Sequence, residues 1–222
     1  MDGSDLYVFD AYGTLFDVHS AVARHSGALG PKARRLSELW RSKQLEYTWV
    51  RTLAGAYKDF ESLTAEALDT AAEICGGVTP ELRVALLRAY RQLAAYPDAA
   101  PALAALRARG ARTAILSNGV PAMLDEAVLS AGLSGLFDAV LSVDAIGVYK
   151  TAPAAYGLVT DRFSASPEEV VFLSSNRWDI AGAAAFGFRA VWVNRTSQPD
   201  EYAELAPRAI LKTLDGLPGL IV

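Results

Sequence analysis

The sequence predicts an α/β fold, a parallel sheet core that carries a helical insert after its first strand. Three observations predict it. Short apolar runs recur along the chain, and each stops at a cluster of small polar residues. Helical patterns separate those runs, several of them closed by a glycine, a residue that commonly ends helices. Residues 16–95 alone break the alternation and read as helix almost throughout.

The first run, residues 6–9, is a buried strand, and Asp10 stands where it stops. Gly13 permits a sharp turn immediately afterwards, and the Thr14 hydroxyl can bond back to the carboxylate. Helices are then expected over 33–52, 63–75 and 80–95, the last opened by Pro80, which suits a first turn. The chain leaves the sheet near Asp17 and rejoins it through Tyr96 and Pro97, so those two connecting segments should lie side by side. Strands follow at 113–116, 139–141, 170–173 and 190–193, with helices at 101–109, 122–131, 153–163 and 181–186. Such alternation builds right-handed βαβ units, hence a Rossmann-like parallel sheet. The core is residues 1–15 and 97–222 and the insert is residues 16–96; the apolar tail 217–222 should pack on the body.

Composition narrows the function. At 222 residues, 52% hydrophobic and 21% charged, the chain has material for one sizeable soluble core. A net charge of −4 argues against nucleic acid or an anionic membrane as the main partner. The insert is mildly basic, with eleven Lys and Arg against nine Asp and Glu over 16–95, which suits a small anionic substrate. Cys75 is the only cysteine, which excludes an internal disulfide and a cysteine zinc site. No charged-then-apolar leader opens the chain and no apolar stretch has the length of a membrane span, so a cytoplasmic protein is expected.

Four loops, each after a strand, present polar residues on one edge of the sheet: Asp10 and Thr14; Ser117 and Asn118; Lys150; and Ser174, Ser175, Asn176 and Asp179. Ligands of open α/β sheets bind in the crevice at the carboxyl ends of the strands. Each residue also has an ordinary reading: Asp10 and Asp179 as helix caps, Ser117-Asn118-Gly119 as a turn, Lys150 as a solvated lysine. Their joint occurrence at consecutive strand ends favours a site, with Asp10 as nucleophile.

The sequence resembles the haloacid dehalogenase superfamily, and within it the L-2-haloacid dehalogenase branch. The resemblance is carried by Phe9-Asp10-Ala11-Tyr12-Gly13-Thr14-Leu15-Phe16-Asp17, by Leu39-Trp40-Arg41 with Lys43-Gln44-Leu45-Glu46-Tyr47, by Leu116-Ser117-Asn118-Gly119, by Val148-Tyr149-Lys150 and by Ser174-Ser175-Asn176-Arg177-Trp178-Asp179. It spans nearly the whole chain, and the insert looks like the family's helical cap. It implies a hydrolase that converts (S)-2-haloacids to 2-hydroxy acids through an ester on Asp10, with a small 2-haloacid anion as substrate and halide as a product. Lys150 would offset charge beside Asp10, Thr14 and Asn176 would orient its oxygens, and Asp179 would activate water for the second step. Arg41, with Asn118 nearby, is assigned to the departing halide; on residue type alone it could equally pair with Glu38 or Glu46. Ser117 would bind the substrate carboxylate beside Tyr12, Ser174 lies in the same cradle, and Leu45, Phe60 and Trp178 match an apolar wall. Tyr156 matches a position that hydrogen-bonds within the site. The family also implies a homodimer.

Tyr12 and the last motif discriminate within the superfamily. Phosphatases of this group carry an acid two residues after the nucleophile to protonate the departing alkoxide, and a phenol with an ordinary pKa near 10 serves poorly there. A halide needs no proton. The phosphatases also hold Mg²⁺ with an extra carboxylate where Ser174, Ser175 and Asn176 stand here, so no catalytic metal and no other cofactor is expected. Two departures bear on the site: Thr151 and Ala152 replace a usual proline and polar residue, which should leave Lys150 less firmly placed or placed differently, and Ser42 replaces a common glutamine beside Arg41, which should alter the halide cradle. Two other readings are a metal-dependent phosphatase or phosphonatase, which added Mg²⁺ would reveal, and a binding module that has lost chemistry. A P-loop around Lys150-Thr151 fails because Tyr149 stands where glycine is required.

Overall fold

The computed structural model describes residues 6–219; Asp5 and the end of the apolar tail, residues 220–222, lie outside the described residues. Strands β1 (Leu6–Phe9), β2 (Arg112–Ser117), β3 (Ala139–Ser142), β4 (Val170–Ser174), β5 (Arg189–Val193) and β6 (Ala209–Leu211) form one sheet in the order β3-β2-β1-β4-β5-β6. Every neighbouring pair is parallel. β1 and β4 are buried at every position, as expected for central parallel strands covered on both faces. The order reverses beside β1: β2 and β3 lie to one side, β4 to β6 to the other. That switch point opens a crevice at the carboxyl end of β1. Phe9 is in register with Ile115 and Leu173, and the Asp10 N–H still donates to the Leu173 carbonyl at 2.9 Å. Asp10 is therefore fixed by the sheet ladder before its side chain makes any contact.

Between β1 and β2 the chain folds into α1 (Ser20–Ala23), α2 (Ser26–Leu29), α3 (Ala33–Leu53), α4 (Phe60–Ile74) and α5 (Pro80–Arg91), then α6 (Ala99–Ala108). Asp59 caps α4, accepting from the Ser62 N–H at 2.8 Å, and Thr79 caps α5 ahead of Pro80. The outgoing and returning segments pair as expected, through an antiparallel bridge between Phe16 and Ala95. The Asp17 N–H donates to the Ala94 carbonyl at 2.8 Å and the Tyr96 N–H to the Leu15 carbonyl at 2.9 Å. Further on come α7 (Pro121–Ser130), α8 (Pro153–Phe163) and α9 (Arg177–Phe186), the last closed by Gly187 at φ +106°.

Several boundaries differ from the sequence expectation. The helix expected over 80–95 stops at Arg91, because Ala94 to Tyr96 must be extended to pair with Leu15 to Asp17. α9 begins at Arg177 rather than 181, so Asp179 is in its first turn and not ahead of it. β6 is missed altogether: it has three residues, lies at the sheet edge and exposes Ile210. The short α1 and α2 are also unpredicted. Of the apolar tail, Leu217 is fully buried. Among the described residues, no helix is long and apolar enough to cross a membrane.

A buried ion pair ties the crossing to the edge of the sheet where Asp10 stands. Arg195, just past β5, makes two hydrogen bonds to Asp98 at 2.7 and 3.0 Å, and lies 3.9 Å over the Tyr96 ring. It also donates to the Thr14 carbonyl at 2.9 Å, while Asp98 accepts from the Leu214 N–H at 2.7 Å. Removing one partner of a buried pair strands the other charge. Arg195→Met should therefore cost about 3 kcal/mol of stability, read as a lower urea midpoint; an unchanged midpoint would refute the role given to this pair.

Candidate active site

Asp10 is buried at the end of β1, and its two oxygens are engaged unequally. Oδ2 accepts from Asn176 Nδ2 at 2.8 Å, Thr14 Oγ1 at 3.0 Å and Ser174 Oγ at 3.4 Å. Oδ1 accepts from Lys150 Nζ at 3.1 Å. The turn that makes this possible depends on Gly13, whose φ of +94° suits glycine and strains other residues. Thr14 is fixed in its role because its hydroxyl accepts from the Ser175 N–H at 2.7 Å, so its own proton points at Asp10. The alternative reading of Asp10 as a helix cap does not hold, since no helix starts there.

Lys150 is fully buried and bridges two carboxylates, with Asp179 Oδ2 at 2.9 Å on its other side. It is not the solvated lysine of the ordinary reading, and Thr151 does not loosen it. Its N–H donates to Asn118 Oδ1 at 3.1 Å, and its ammonium lies 5.0 Å from the Phe172 ring centre. The Lys150–Thr151 peptide bond is cis. Burial works against the ammonium, but the charges of Asp10 and Asp179 outweigh it and hold its pKa above the usual lysine value. Burial pushes Asp179 up to about 6, the Lys150 ammonium pulling it down and Asp10 pushing it further up.

Asp179 Oδ1 accepts from the Tyr156 hydroxyl at 2.8 Å, the hydrogen bond expected of Tyr156. Gly182, one turn along α9, allows this approach: a Cβ there would stand 2.4 Å from the Tyr156 hydroxyl oxygen.

Arg41 reaches the site from α3. Its guanidinium donates to Gln44 Oε1 at 2.9 Å, to the Tyr12 carbonyl at 3.2 Å and to Asn176 Oδ1 at 3.3 Å. Glu38 and Glu46 pair instead with Arg34 and Lys43, so the surface-pair reading of Arg41 falls. The Tyr12 ring packs against Phe16, Phe60 and Tyr90, and its hydroxyl is buried without a partner among the described residues. Burial holds this phenol well above its usual pKa, with the neighbouring Tyr90 adding to the effect.

The remaining expected residues are placed less uniformly. Phe60 is buried between Tyr12 and Tyr149. Ser117 is buried, its hydroxyl accepting from the Gly119 N–H at 3.1 Å. Asn118 is held to the Lys150 amide rather than to Arg41. Leu45 is half-buried one turn beyond Arg41 on α3, and Trp178 packs edge-on against Trp49, 5.6 Å between ring centres. Ser42 is exposed and stands outside this set of contacts. The sequence assigns no role to Gln44, Thr64 or Tyr90. The three-residue spacing from Arg41 to Gln44 was a usable signal; nothing local marks Thr64 or Tyr90. Among the described residues, no group of three His, Cys, Asp or Glu side chains is placed to hold a metal ion.

Residues 5–187 match the model of haloacid dehalogenase-like hydrolases. The chain belongs to that family. It is 49% identical to (S)-2-haloacid dehalogenase 1 of Pseudomonas sp. (strain CBS-3), covering 100% of this chain and 98% of the relative. It is 40% identical to haloacetate dehalogenase H-2 of Moraxella sp. (strain B), covering 96% of each. Among solved structures, the L-2-haloacid dehalogenase from Xanthobacter autotrophicus with chloropropionic acid covalently bound superposes with a TM-score of 0.90, at 39% identity over 97% of both chains. This haloacid dehalogenase-like hydrolase thus shares fold and length with relatives named as dehalogenases.

The electrostatics of the site are open to direct measurement. The Asp179 carboxyl should titrate near pH 6 in carbon-detected NMR of aspartate-labelled protein. It should move higher still in Lys150→Met, because the ammonium is what pulls it down. Titration near 4 in the parent protein would overturn the assignment.

Proposed function

We propose that this hydrolase is an (S)-2-haloacid dehalogenase that converts haloacetate and 2-halopropionate to 2-hydroxy acids with inversion, without a metal or other cofactor. The observation that carries the reading is the environment of Asp10. Three donors saturate Oδ2, whereas Oδ1 meets Lys150 alone and keeps a lone pair for attack. The chloropropionic acid bound covalently in the Xanthobacter relative supports the same chemistry.

In the first step Asp10 Oδ1 attacks the substrate α-carbon in line with the carbon–halogen bond. The new C–O bond forms as the halide departs with the bonding pair, which inverts the carbon and leaves an ester on Asp10. In the second step water adds to the Asp10 acyl carbon as Asp179 takes one of its protons. The acyl–oxygen bond then breaks, and the departing alkoxide recovers that proton from Asp179. Asp10 keeps one oxygen from water, and the second water proton goes to solvent. Esterification removes the Asp10 charge that helped push Asp179 up, while Lys150 stays in place, so Asp179 is more readily ionised when the base is needed.

The other residues take the roles that the family resemblance implies. Arg41 stabilises the leaving halide with Asn118, Ser117 meets the substrate carboxylate beside Tyr12, and Ser174 borders the same cradle with its hydroxyl turned to Asp10. Leu45, Phe60 and Trp178 line the substrate's apolar side, and Tyr156 orients Asp179. Residues 16–96 act as a cap domain over a core of 1–15 and 97–222. A hydrolase needing an acid at position 12 is disfavoured by the raised phenol pKa. A bound Mg²⁺ is disfavoured because the Lys150 ammonium already stands between the two carboxylates.

A homodimer through α3 and α4 fits Val50 and Leu53, 57% and 88% exposed beside a groove of about 680 Å³ lined by Tyr47, Val50 and Ala54. A cytoplasmic location agrees with a single cysteine.

With chelator present, the enzyme should release chloride from (S)-2-chloropropionate but not from the (R) enantiomer, giving (R)-lactate. Asp10→Asn should abolish this, and Asp179→Asn should accumulate an ester on Asp10 visible by mass spectrometry. Chloride release only on adding Mg²⁺, or full turnover in Asp10→Asn, would sink the proposal. For the assembly, light scattering should report twice the chain mass, and Leu53→Asp with Val50→Asp should halve it.

A further inference from the structure

Arg41 is held by acceptors that carry no charge. Its three partners are a side-chain amide, a backbone carbonyl and the Asn176 amide, and it makes no ion pair among the described residues. A half-buried guanidinium more often meets a carboxylate, which would neutralise it. Here its positive charge stays available to an incoming anion.

Gln44 is what permits this. It is fully buried, and its Oε1 accepts from both Arg41 and the Tyr90 hydroxyl, each at 2.9 Å. Its Nε2 donates to Thr64 Oγ1 at 2.7 Å. The direction of that last bond is forced, because the Thr64 hydroxyl gives its own proton to the Phe60 carbonyl one turn back, at 2.7 Å. Thr64 can only accept from Gln44, so the Gln44 amide cannot flip and its oxygen must face Arg41. Trp40 donates to the Thr64 carbonyl at 2.8 Å and holds the same turn of α4.

We propose that Gln44 is a positioning residue that sets leaving-group specificity: a neutral, orientation-locked acceptor that aims Arg41 at the halide while leaving its charge uncompensated. The inference rests on the assignment of Arg41 to the halide. A glutamate of the same shape would keep both hydrogen bonds to Oε1 but place a carboxylate against the guanidinium. The cost falls on the halide, and most on the one whose departure needs most stabilisation, chloride rather than bromide.

The test compares Gln44→Glu with the parent enzyme on (S)-2-chloropropionate and (S)-2-bromopropionate, together with inhibition by added chloride and bromide. kcat/KM is the relevant constant, since it reports steps through carbon–halogen cleavage. It should fall about tenfold to a hundredfold for the chloro substrate, the range for weakening a hydrogen bond to a charged group. The fall should be smaller for the bromo substrate, with weaker inhibition by both halides. Gln44→Met, which removes the acceptor without adding charge, should lower both rates more evenly and keep halide inhibition stronger than Gln44→Glu does. If Gln44→Glu does not fold, Thr64→Val serves instead: freeing the amide to rotate should weaken halide inhibition in the same direction. An unchanged chloro-to-bromo ratio with parental halide inhibition in Gln44→Glu would overturn the proposal. Arg41→Lys separates the two levels. If it shifts the ratio and Gln44→Glu does not, Arg41 binds halide without help from Gln44; if neither shifts it, the halide assignment of Arg41 also falls.

Discussion

The structure turns on one buried ammonium. Lys150 has no access to water, so it must be paired where it stands, and Asp10 and Asp179 pair it from two sides. Burial is the main reason that Asp179 is pushed up although it touches a lysine, and the neighbouring Asp10 adds to it. Everything around the trio serves to hold it at that balance. Thr14, Asn176 and Ser174 spend their donors on one oxygen of Asp10, Tyr156 donates to the free oxygen of Asp179, and Asn118 anchors the Lys150 backbone.

The sheet makes this arrangement possible through register. Asp10, just past β1, and Ser174, the last residue of β4, stand at the same level, so their contact follows from the parallel pairing of β1 with β4. Asp179 arrives one turn into α9, and Gly182 beyond it leaves room for the Tyr156 hydroxyl. The Arg195–Asp98 pair secures the same edge from behind, since Arg195 also holds the Thr14 carbonyl. The loop after β1, the return crossing and the turn at Leu214 are fastened at one point.

The helical insert adds an opposite charge from above. Arg41 contacts Asn176, which in turn donates to Asp10, so the proposed halide binder and the proposed nucleophile share one amide. In the proposed displacement that amide would couple the two ends, because the group that meets the leaving halide also steadies Asp10. On the far side Gln44, Thr64 and Tyr90 come from three different helices, α3, α4 and α5, and they fix the guanidinium without neutralising it.

Much of this was legible in the chain. Apolar runs ending in polar clusters gave five of the six strands, because burial in a parallel sheet demands continuous apolar sequence. Residues at those strand ends supplied Asp10, Ser117, Ser174 and Asn176, since position on a strand dictates which edge a following residue reaches. The resemblance named Arg41 on α3, but that Gln44 faces it is a contact of the folded helix. What the sequence could not yield depends on distance across the chain. That the helix from Pro80 stops at Arg91 is decided by pairing with Phe16, and that Thr151 still leaves Lys150 firmly placed is decided by Asn118 and two carboxylates. Sequence by itself determined the kinds of chemical group present and the edge on which they gather, through local periodicity and strand ends. Only the tertiary structure decided their charge states and the direction of their hydrogen bonds, because burial and pairing are properties of neighbours far apart in the chain.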